Sequence, residues 1–493
     1  MLRRLNAILS LPKGHPQGWL VGALAVLLVA CIWLSIALEA WWPAGVPAAL
    51  LVCWLSIVDF RRIYFLMLAC IPLSIEMELP GGLGTDLPSE PLMWLLTLVA
   101  VFWFLRHWRM VNGRFLRHPV TLTLLIHLSW TAVCVITSSD FLVSFKFLLA
   151  KGWYVIVFYF LAAHLLQDEK DFKELLWWFF VPLLIAVLSV LARHAPSGFS
   201  FKEVNFVMGP FFRNHVMYAC LLAVFLPFVW YGAYWYRKYS GAWWLLAAGI
   251  VIFIAGINFA YTRAAYVALV AAAAIYWLIR RRLIRISLLV FSIAFAGLVI
   301  LVTSRDNWLE FAPDYERTVT HTRFDNLLEA TTKLEDISTM ERVYRWVAAA
   351  YMIQDRPFTG FGPGNFYFNY QKYTVSSFKT YVSDNPERSG IHNYYLMVTV
   401  EQGVPGLVFF LIFCLAVIFK GQQVYHRTPH TGRRRVLVAA LLSFMLIAML
   451  MLMNDFVETD KIGSLFFICA AIIVNMDLSS RAADDAMPYH NVQ

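Results

Sequence analysis

The chain has 493 residues, of which 60% are hydrophobic and 14% charged, and its mean hydropathy is +0.64. An ordinary soluble domain is about 25% charged, so this composition excludes a soluble globular protein. The formal net charge of +9 does not indicate a nucleic-acid partner, because the Lys and Arg residues cluster between apolar runs, where they orient a membrane protein.

The sequence predicts an all-α polytopic membrane protein with about 12–14 transmembrane helices. The short alternating segments of a transmembrane β-barrel are absent. Basic residues before the first apolar run resemble a signal sequence, but no small-residue cleavage site follows, so the first helix is expected to be retained. The second and third spans are the weakest. The predicted spans are residues 19–38, 44–58, 63–79, 91–105, 119–137, 143–164, 175–192, 215–236, 242–259, 264–279, 284–303, 393–419, 436–453 and 461–476.

Charge alternates between successive connections, which predicts the orientation of the chain. The basic connections are residues 59–64, 106–118, 236–240, 280–285 and 432–436. The alternate connections, which are acidic or neutral, are residues 78–91, 137–140 and 454–461. The positive-inside rule places the basic connections and both termini in the cytoplasm, and this favours an even number of spans.

One polar segment, residues 304–391, is too long for a simple connection and is predicted to be a partly helical outer loop. Residues 338–355 have apolar side chains at helical spacing, and Ser338 with Glu341 fits a capping box. The Pro and Gly residues of 356–366 then end the helix. The expected organisation is transmembrane helices in 1–303, the loop in 304–391, C-terminal transmembrane helices in 392–476 and a cytoplasmic tail in 477–493.

Polar residues gather at one predicted membrane face. Arg213 and His215 begin the eighth span, Arg263 lies in the turn between the ninth and tenth, and His392 opens the twelfth. An Arg side chain donates two parallel hydrogen bonds to phosphate and keeps its charge, and a neutral His accepts a proton. The pattern is that of arginines holding a lipid-linked pyrophosphate while His392 deprotonates an acceptor hydroxyl.

Other residues in or beside the spans have simpler alternatives. An Arg at a helix end also serves as an interfacial anchor, and His215 as a cap of its helix. Lys151, in the outer half of its span, is expected to pair with Glu401 or to meet phosphate, and Glu401 is as well explained by a structural partner as by a functional one. The acidic residues of the last outer connection are expected to be solvated. No His, Cys or Asp cluster has metal-ligand spacing, so no metal is expected, and the seven cysteines are expected to be unbridged.

Four segments together resemble one known family. "HNYYLMVTVEQGVPG" (392–406) has His-Asn, nine residues and Gly-x-x-Gly, which resembles the signature of the O-antigen ligase family and of the wider ligase and polymerase superfamily. "AYTRAAYVAL" (260–269) is similar to the Thr/Ser-Arg segment of that superfamily. Residues 341–366 resemble its outer-loop helix and the Pro-x-x-Gly-x-Gly turn, and residues 209–219 resemble the start of an earlier span.

The resemblance implies a lipid-dependent membrane glycosyltransferase of GT-C-like architecture, inverting and without metal or other cofactor. By motif position, His392 matches the proposed base, and Arg213 and Arg263 match the pyrophosphate-binding arginines. Further substrate contacts implied with less weight are Arg342, Arg345, His215, Asn393 and Lys151.

The implied donor is a preassembled glycan on undecaprenyl pyrophosphate, and the implied acceptor is a glycan, lipid A-core or protein. The protein would be a multi-pass component of the bacterial inner membrane, surrounded by membrane lipids, with its site facing the periplasm and no nucleic-acid partner. Two alternatives stay open at this point: a polymerase of O-antigen or exopolysaccharide from the same superfamily, and a polysaccharide or lipid transporter. A transporter predicts polar residues along the whole membrane depth, whereas these gather at one face.

Overall fold

The computed structural model describes residues 17–39, 42–79, 83–110, 112–303, 337–375 and 390–486. The chain divides into two compact units, residues 1–64 and 65–493. The first unit contains the helices α1 and α2, and all the candidate site residues lie in the second. The helices are α1 Gln17–Ala37, α2 Trp42–Val58, α3 Phe60–Cys70, α4 Ser89–Arg106, α5 Gly113–Leu116, α6 Pro119–Ile136, α7 Phe141–Leu165, α8 Glu169–His194, α9 His215–Ala233, α10 Gly241–Phe259, α11 Arg263–Arg281, α12 Ile284–Thr303, α13 Ile337–Asp355, α14 Phe366–Asn369, α15 Tyr394–Arg427, α16 Thr431–Leu450 and α17 Asp460–Ala486.

Within the described residues, nine helices are long and apolar enough to cross a membrane: α4, α6 to α11, α15 and α17. Shorter apolar helices lie in α1, α2 and α12. The 20-residue α16 is also largely apolar, but three consecutive arginines follow its first two residues. The prediction of an all-α polytopic membrane protein is therefore confirmed.

The third predicted span, residues 63–79, is wrong in its second half. Helix α3 ends at Cys70, a short 3-10 turn follows at Ile71–Leu73, and strand β1 (Ile75–Leu79) pairs antiparallel with β2 (Leu83–Leu87). The cause is local, because Pro72 interrupts the helix and glutamates then alternate with apolar residues, which is the period of a strand. At the other end of the chain, the last span is longer than predicted, since α17 continues to Ala486.

Successive helices of the second unit run in alternating directions, so the unit has two ends. At one end, called here the His392 end, Tyr394 N–H donates to Met451 O (2.9 Å), which joins the start of α15 to the end of α16. At the opposite end, called here the Arg481 end, His426 Nε2 bonds Ile279 O (2.8 Å), which joins the last turns of α15 and α11. The most buried spans are α9 and α17, which form the core with α16.

Helix α15 is kinked ten residues into its length. Gly403 has φ +71° and ψ 179°, and Pro405 follows without a backbone N–H. A kink inside a membrane leaves backbone groups that must find partners within the protein. The indole of Trp130 on α6 supplies one of them, donating to Gln402 O (2.8 Å).

The remaining groups at the kink pair with residues 356–366, called here the Pro-Gly turn. Phe361 N–H donates to Val400 O (3.0 Å), Gly362 N–H donates to Glu401 O (2.9 Å), and Val404 N–H donates to Pro357 O (2.8 Å). The prediction that Pro and Gly end the loop helix is confirmed, because α13 stops at Asp355. The turn continues inward and completes the broken hydrogen bonds of a membrane helix.

The two glycines of α15, Gly403 and Gly406, make room for different neighbours. A Cβ at Gly403 would overlap the carbonyl of Phe358, so this glycine makes room for the Pro-Gly turn. Gly406 does face a neighbouring helix, because its Cβ position lies 3.4 Å from the Trp130 ring of α6. Glu401 is buried and accepts from Phe366 N–H (3.2 Å), so its structural partner is the end of the same turn.

Replacing Gly403 by Ala should destabilise the protein by at least ~2 kcal/mol, because the backbone at φ +71° is open only to glycine and the added methyl would meet Phe358. The measurement is thermal unfolding in detergent. Gly152→Ala in α7, where nothing lies within 4 Å of the added Cβ, is the matched control and should leave the midpoint nearly unchanged. Equal midpoints for the two variants would contradict the role of the kink.

Candidate functional site

His392 lies in a short turn that one carboxylate holds in place. Its backbone has φ +56°, in the left-handed region that costs a non-glycine residue about 1–2 kcal/mol. Asp455, which follows α16, accepts from His392 N–H (3.3 Å) and also from Asn393 N–H. Asn393 then caps α15 by accepting from Leu396 N–H (3.0 Å). Strain of this kind persists where the surroundings impose it, and here Asp455 imposes it.

The loop helix α13 is fastened to the chain just before His392. Arg345 donates to Gly390 O (2.9 Å) and pairs with Glu341 on its own helix (3.3 Å). The indole of Trp346 donates to Ile391 O (3.1 Å). Two consecutive carbonyls are thus held by consecutive residues of α13, so this helix is positioned against the His392 turn.

The charges of α13 act on His392. The pKa of His392 is lowered to about 3, first by burial and then by the cations Arg342 and Arg345, while a hydrogen bond from the imidazole to Asn454 acts in the opposite direction. The imidazole is therefore neutral at physiological pH, which is the form that accepts a proton. Arg342 is also within electrostatic range of Cys220 on α9.

Asp455 itself is shielded from water. Its Oδ1 is buried and, within the described part of the chain, has no hydrogen-bond partner. Burial raises the pKa of Asp455 to about 7, while the backbone N–H of His392, the Arg345 charge and the backbone N–H of Asn393 act in the opposite direction. The carboxyl group that holds the His392 turn thus changes charge near neutral pH.

A second group of predicted residues meets at the starts of α9 and α11. His215 Nδ1 lies 2.7 Å from Ala260 O, and since a carbonyl only accepts, Nδ1 carries the proton. Thr262 Oγ1 donates to His215 O (3.3 Å). These bonds tie the first residue of α9 to the turn before α11. Arg213 lies two residues before α9 and is exposed, and Arg263 is the half-buried first residue of α11, which packs against α9.

The predicted site residues therefore form two groups. His392 is directly coupled to Arg342 and Arg345 on α13. Arg213 and Arg263 flank the separate His215 junction, which the bond from His215 to Ala260 O holds together. All of these residues lie at the His392 end of the bundle.

Lys151 pairs with a different carboxylate from the one expected for it. Its ammonium lies 2.6 Å from Glu458 and donates to the Tyr394 hydroxyl (3.1 Å), so it pairs with Glu458 instead of Glu401. Tyr394 also donates to Glu458 (2.6 Å). This triad anchors the first residue of α15 to α7 and to the connection before α17.

The expectation that the last acidic connection is solvated is wrong. Asp460 is buried and accepts from the hydroxyls of Ser74 (2.8 Å) and Ser89 (2.9 Å). Its neighbour Lys461 donates to the same Ser74 hydroxyl. Asp455 and Glu458 are half-buried, and each of the three acidic side chains has charged or hydrogen-bonding partners from distant segments.

Residues 248–411 match the family model described as O-Antigen ligase. This match supports a similarity to the O-antigen ligase and polymerase superfamily over that segment. No curated protein matches it. The matched segment covers about a third of the chain and contains Arg263, α13 with its two arginines, the Pro-Gly turn and His392, whereas Arg213 and Asp455 lie outside it.

The sequence analysis missed Asp455 and Asn454. Both follow the apolar run of α16, at the same predicted face as His392, and that placement is the one signal that the sequence carried. Among the described residues, no group of three or more His, Cys, Asp or Glu side chains is arranged to hold a metal ion. The seven cysteines are free, as expected.

Asp455→Asn should change how stability depends on pH. The variant keeps an oxygen for His392 N–H but does not ionise. In wild type the pKa of Asp455 rises from 3.8 to about 7 on folding. The folded state therefore holds this proton more tightly than the unfolded state, and stability is lost as pH rises from about 4 to 7. The unfolding midpoint of the variant minus that of wild type should increase across this window and then level.

Thermal unfolding in detergent at several pH values is the measurement. Asp140→Asn, at an exposed helix cap, is the control and should not show this increase. A difference between Asp455→Asn and wild type that is constant or falls from pH 4 to 7 would rule out a buried, protonated Asp455.

Proposed function

We propose that this protein is an O-antigen ligase-like glycosyltransferase, which moves a preassembled glycan en bloc from undecaprenyl pyrophosphate to an acceptor hydroxyl. The observation that carries the proposal is the His392 turn, where a neutral imidazole is held in a strained backbone beneath a helix with two arginines. The match of residues 248–411 to the O-Antigen ligase family model supports the same reaction class.

In the proposed reaction, His392 takes the proton from the acceptor hydroxyl as that oxygen attacks the anomeric carbon of the donor glycan. A new C–O bond forms on one face of the sugar while the bond to pyrophosphate oxygen breaks on the other, so the anomeric configuration inverts. The electron pair of the broken bond leaves with undecaprenyl pyrophosphate. General-base help of this kind contributes typically 10²–10⁴-fold to a rate.

The arginines hold the leaving group in this proposal. Arg213 and Arg263, at the starts of adjacent helices, bind the pyrophosphate, and Arg342 and Arg345 add positive charge from α13. Guanidinium groups stay charged and bind phosphate oxygens in pairs, so they stabilise the charge that develops on the leaving group without a metal ion. His215 contributes by fixing the junction that carries Arg213 and Arg263.

Binding of the donor would also make the His392 imidazole a stronger base. The free enzyme holds the pKa of His392 low through burial and through the charges of Arg342 and Arg345. A bound pyrophosphate would offset those positive charges, so the imidazole would become more basic when the substrate is present. The enzyme would thus keep His392 unprotonated until the anionic donor is bound.

The charge distribution supports a periplasmic site in the bacterial inner membrane. The last helical turns at the Arg481 end carry basic residues on several helices, including Arg106, Arg280 and Arg427. The positive-inside rule assigns that end to the cytoplasm. The His392 end would then face the periplasm, where lipid-linked glycans and an acceptor on lipid A-core, on protein or on another glycan would meet.

The reaction is tested with purified protein, a glycan on undecaprenyl pyrophosphate and candidate acceptors. Wild type should transfer the glycan in one step to lipid A-core or protein, whereas a ladder of products on the donor lipid would identify a polymerase instead. His392→Ala should reduce transfer at least ~100-fold, because the proton acceptor is lost, while donor binding is kept. Gel analysis of the products is the measurement.

His107→Ala is the matched control, since this histidine lies at the other end of the bundle and bonds its own helix at Trp103 O. It should transfer glycan at the wild-type rate. Full activity of His392→Ala would refute the base assignment. Movement of the lipid-linked glycan across the membrane without transfer would favour a transporter.

The orientation is tested with single cysteines at exposed positions. With the exposed Cys53 replaced by Ser, Ser139→Cys at the His392 end should react with a membrane-impermeant maleimide in cells with a permeabilised outer membrane. Lys238→Cys, at the opposite end, should react only after the inner membrane is opened. The reverse pattern of labelling would place the site in the cytoplasm.

A further inference from the structure

A cavity of about 520 Å³ lies at the Arg481 end, far along the helices from His392. Three of its lining side chains are exposed arginines: Arg114 in α5, Arg117 directly after α5, and Arg481 on α17. Its other walls are apolar and include Pro119 and Leu478. The cavity therefore combines positive charge with apolar surface, and it takes no part in the proposed transfer reaction.

The buried carboxylate of Asp477 binds basic side chains at this cavity. Asp477 is fully buried and lies 2.8 Å from Arg481 Nη2 and 2.5 Å from Arg427 Nη2. His118 accepts from Val120 N–H at Nδ1, so its Nε2 carries the proton and donates to Asp477 (3.0 Å). Asp477 and His118 therefore fix the position of Arg481, which brings its guanidinium group to the same cavity as those of Arg114 and Arg117.

An apolar groove of about 360 Å³ begins one helical turn further along α6. It is lined by Leu122, Ile126 and Val133 of α6 and by Phe409 of α15, among others. Pro119, which lines the cavity, is three residues before Leu122 and lies on the same helix face. From Leu122 to Val133 the groove follows α6 for about 16 Å, roughly half of the ~30 Å hydrocarbon core.

We propose that the cavity and the groove form one binding site for an anionic phospholipid. The phosphate of the headgroup binds Arg114, Arg117 and Arg481, and one acyl chain lies in the groove between α6 and α15. Basic pockets between transmembrane helices are known to bind the anionic headgroups of lipids. Charge complementarity selects an anionic headgroup, and the groove distinguishes a phospholipid from free phosphate.

The site is tested by titrating purified protein in a zwitterionic detergent with phosphatidylglycerol and counting bound lipids by native mass spectrometry. One molecule should bind saturably, more tightly than phosphatidylcholine with the same chains. The double variant Arg114→Gln with Arg117→Gln should bind it about 30-fold more weakly, since each arginine near an anionic lipid contributes about fivefold. Arg237→Gln with Lys238→Gln, two exposed cations of the same end, is the control and should keep the wild-type affinity.

The groove is tested separately with Ser129→Trp, which fills it without touching the cavity. This variant should weaken phosphatidylglycerol binding several-fold, whereas Val251→Trp on the exposed surface of α10 should not. Glycerol phosphate and inorganic phosphate are the probes without acyl chains and should bind far more weakly than the lipid. Thermal unfolding confirms that each variant is folded.

Three results would overturn the proposal: equal affinity for phosphatidylcholine, equal affinity for glycerol phosphate, or unchanged binding in the arginine variant. The first would mean ordinary solvation by membrane lipid, and the second would mean a soluble phosphate site. The measurement is independent of glycan transfer, so its outcome does not depend on the proposed enzymatic function.

Discussion

The break in α15 at Gly403 is the constraint on which the rest of this architecture depends. Backbone groups inside a bilayer need partners, and the kink exposes the carbonyls of Val400 and Glu401 together with Val404 N–H. The Pro-Gly turn supplies those partners from a segment that lies outside the spans in the sequence. One hydrogen-bonding requirement thus fastens the outer segment to the core of the bundle.

The position of α13 follows from that attachment. The helix ends where the Pro-Gly turn begins, and its other contacts, from Arg345 and Trp346, hold the two residues before His392. Helix α13 is therefore held at two places: by the Pro-Gly turn that follows it, and by the bonds of Arg345 and Trp346 to the carbonyls before His392. These bonds fix the arginines of α13 within electrostatic range of the imidazole. In the proposed transfer reaction, charges fixed in this way would not have to move as the reaction begins.

The two ends of the bundle use buried carboxylates in the same way. At the His392 end, Asp455 holds a strained turn, and at the Arg481 end, Asp477 holds two arginines and a histidine. In each case the acidic residue comes from the C-terminal part of the chain, after α15. A buried charge that several partners share restricts them to one geometry, which is what a binding site requires.

The amino-acid sequence by itself determined the class of fold, most of the spans and the candidates for chemistry. Hydropathy and charge alternation act along the chain, so they are readable without the structure, and the His392 and Arg263 motifs lie in local stretches of the same kind. Residues 63–79 show the limit of that approach, because mean hydropathy does not distinguish an apolar helix from a short helix followed by a hairpin.

Only the tertiary structure decided which polar groups are partners. Lys151 pairs with Glu458, about 300 residues away, Glu401 binds the Pro-Gly turn, and Asp455 holds His392. Spacing along a helix gives the face on which a side chain lies but not the neighbour that packs against it. Those neighbours come from distant segments, and their choice depends on how the helices and the outer segment pack together, which no local pattern encodes.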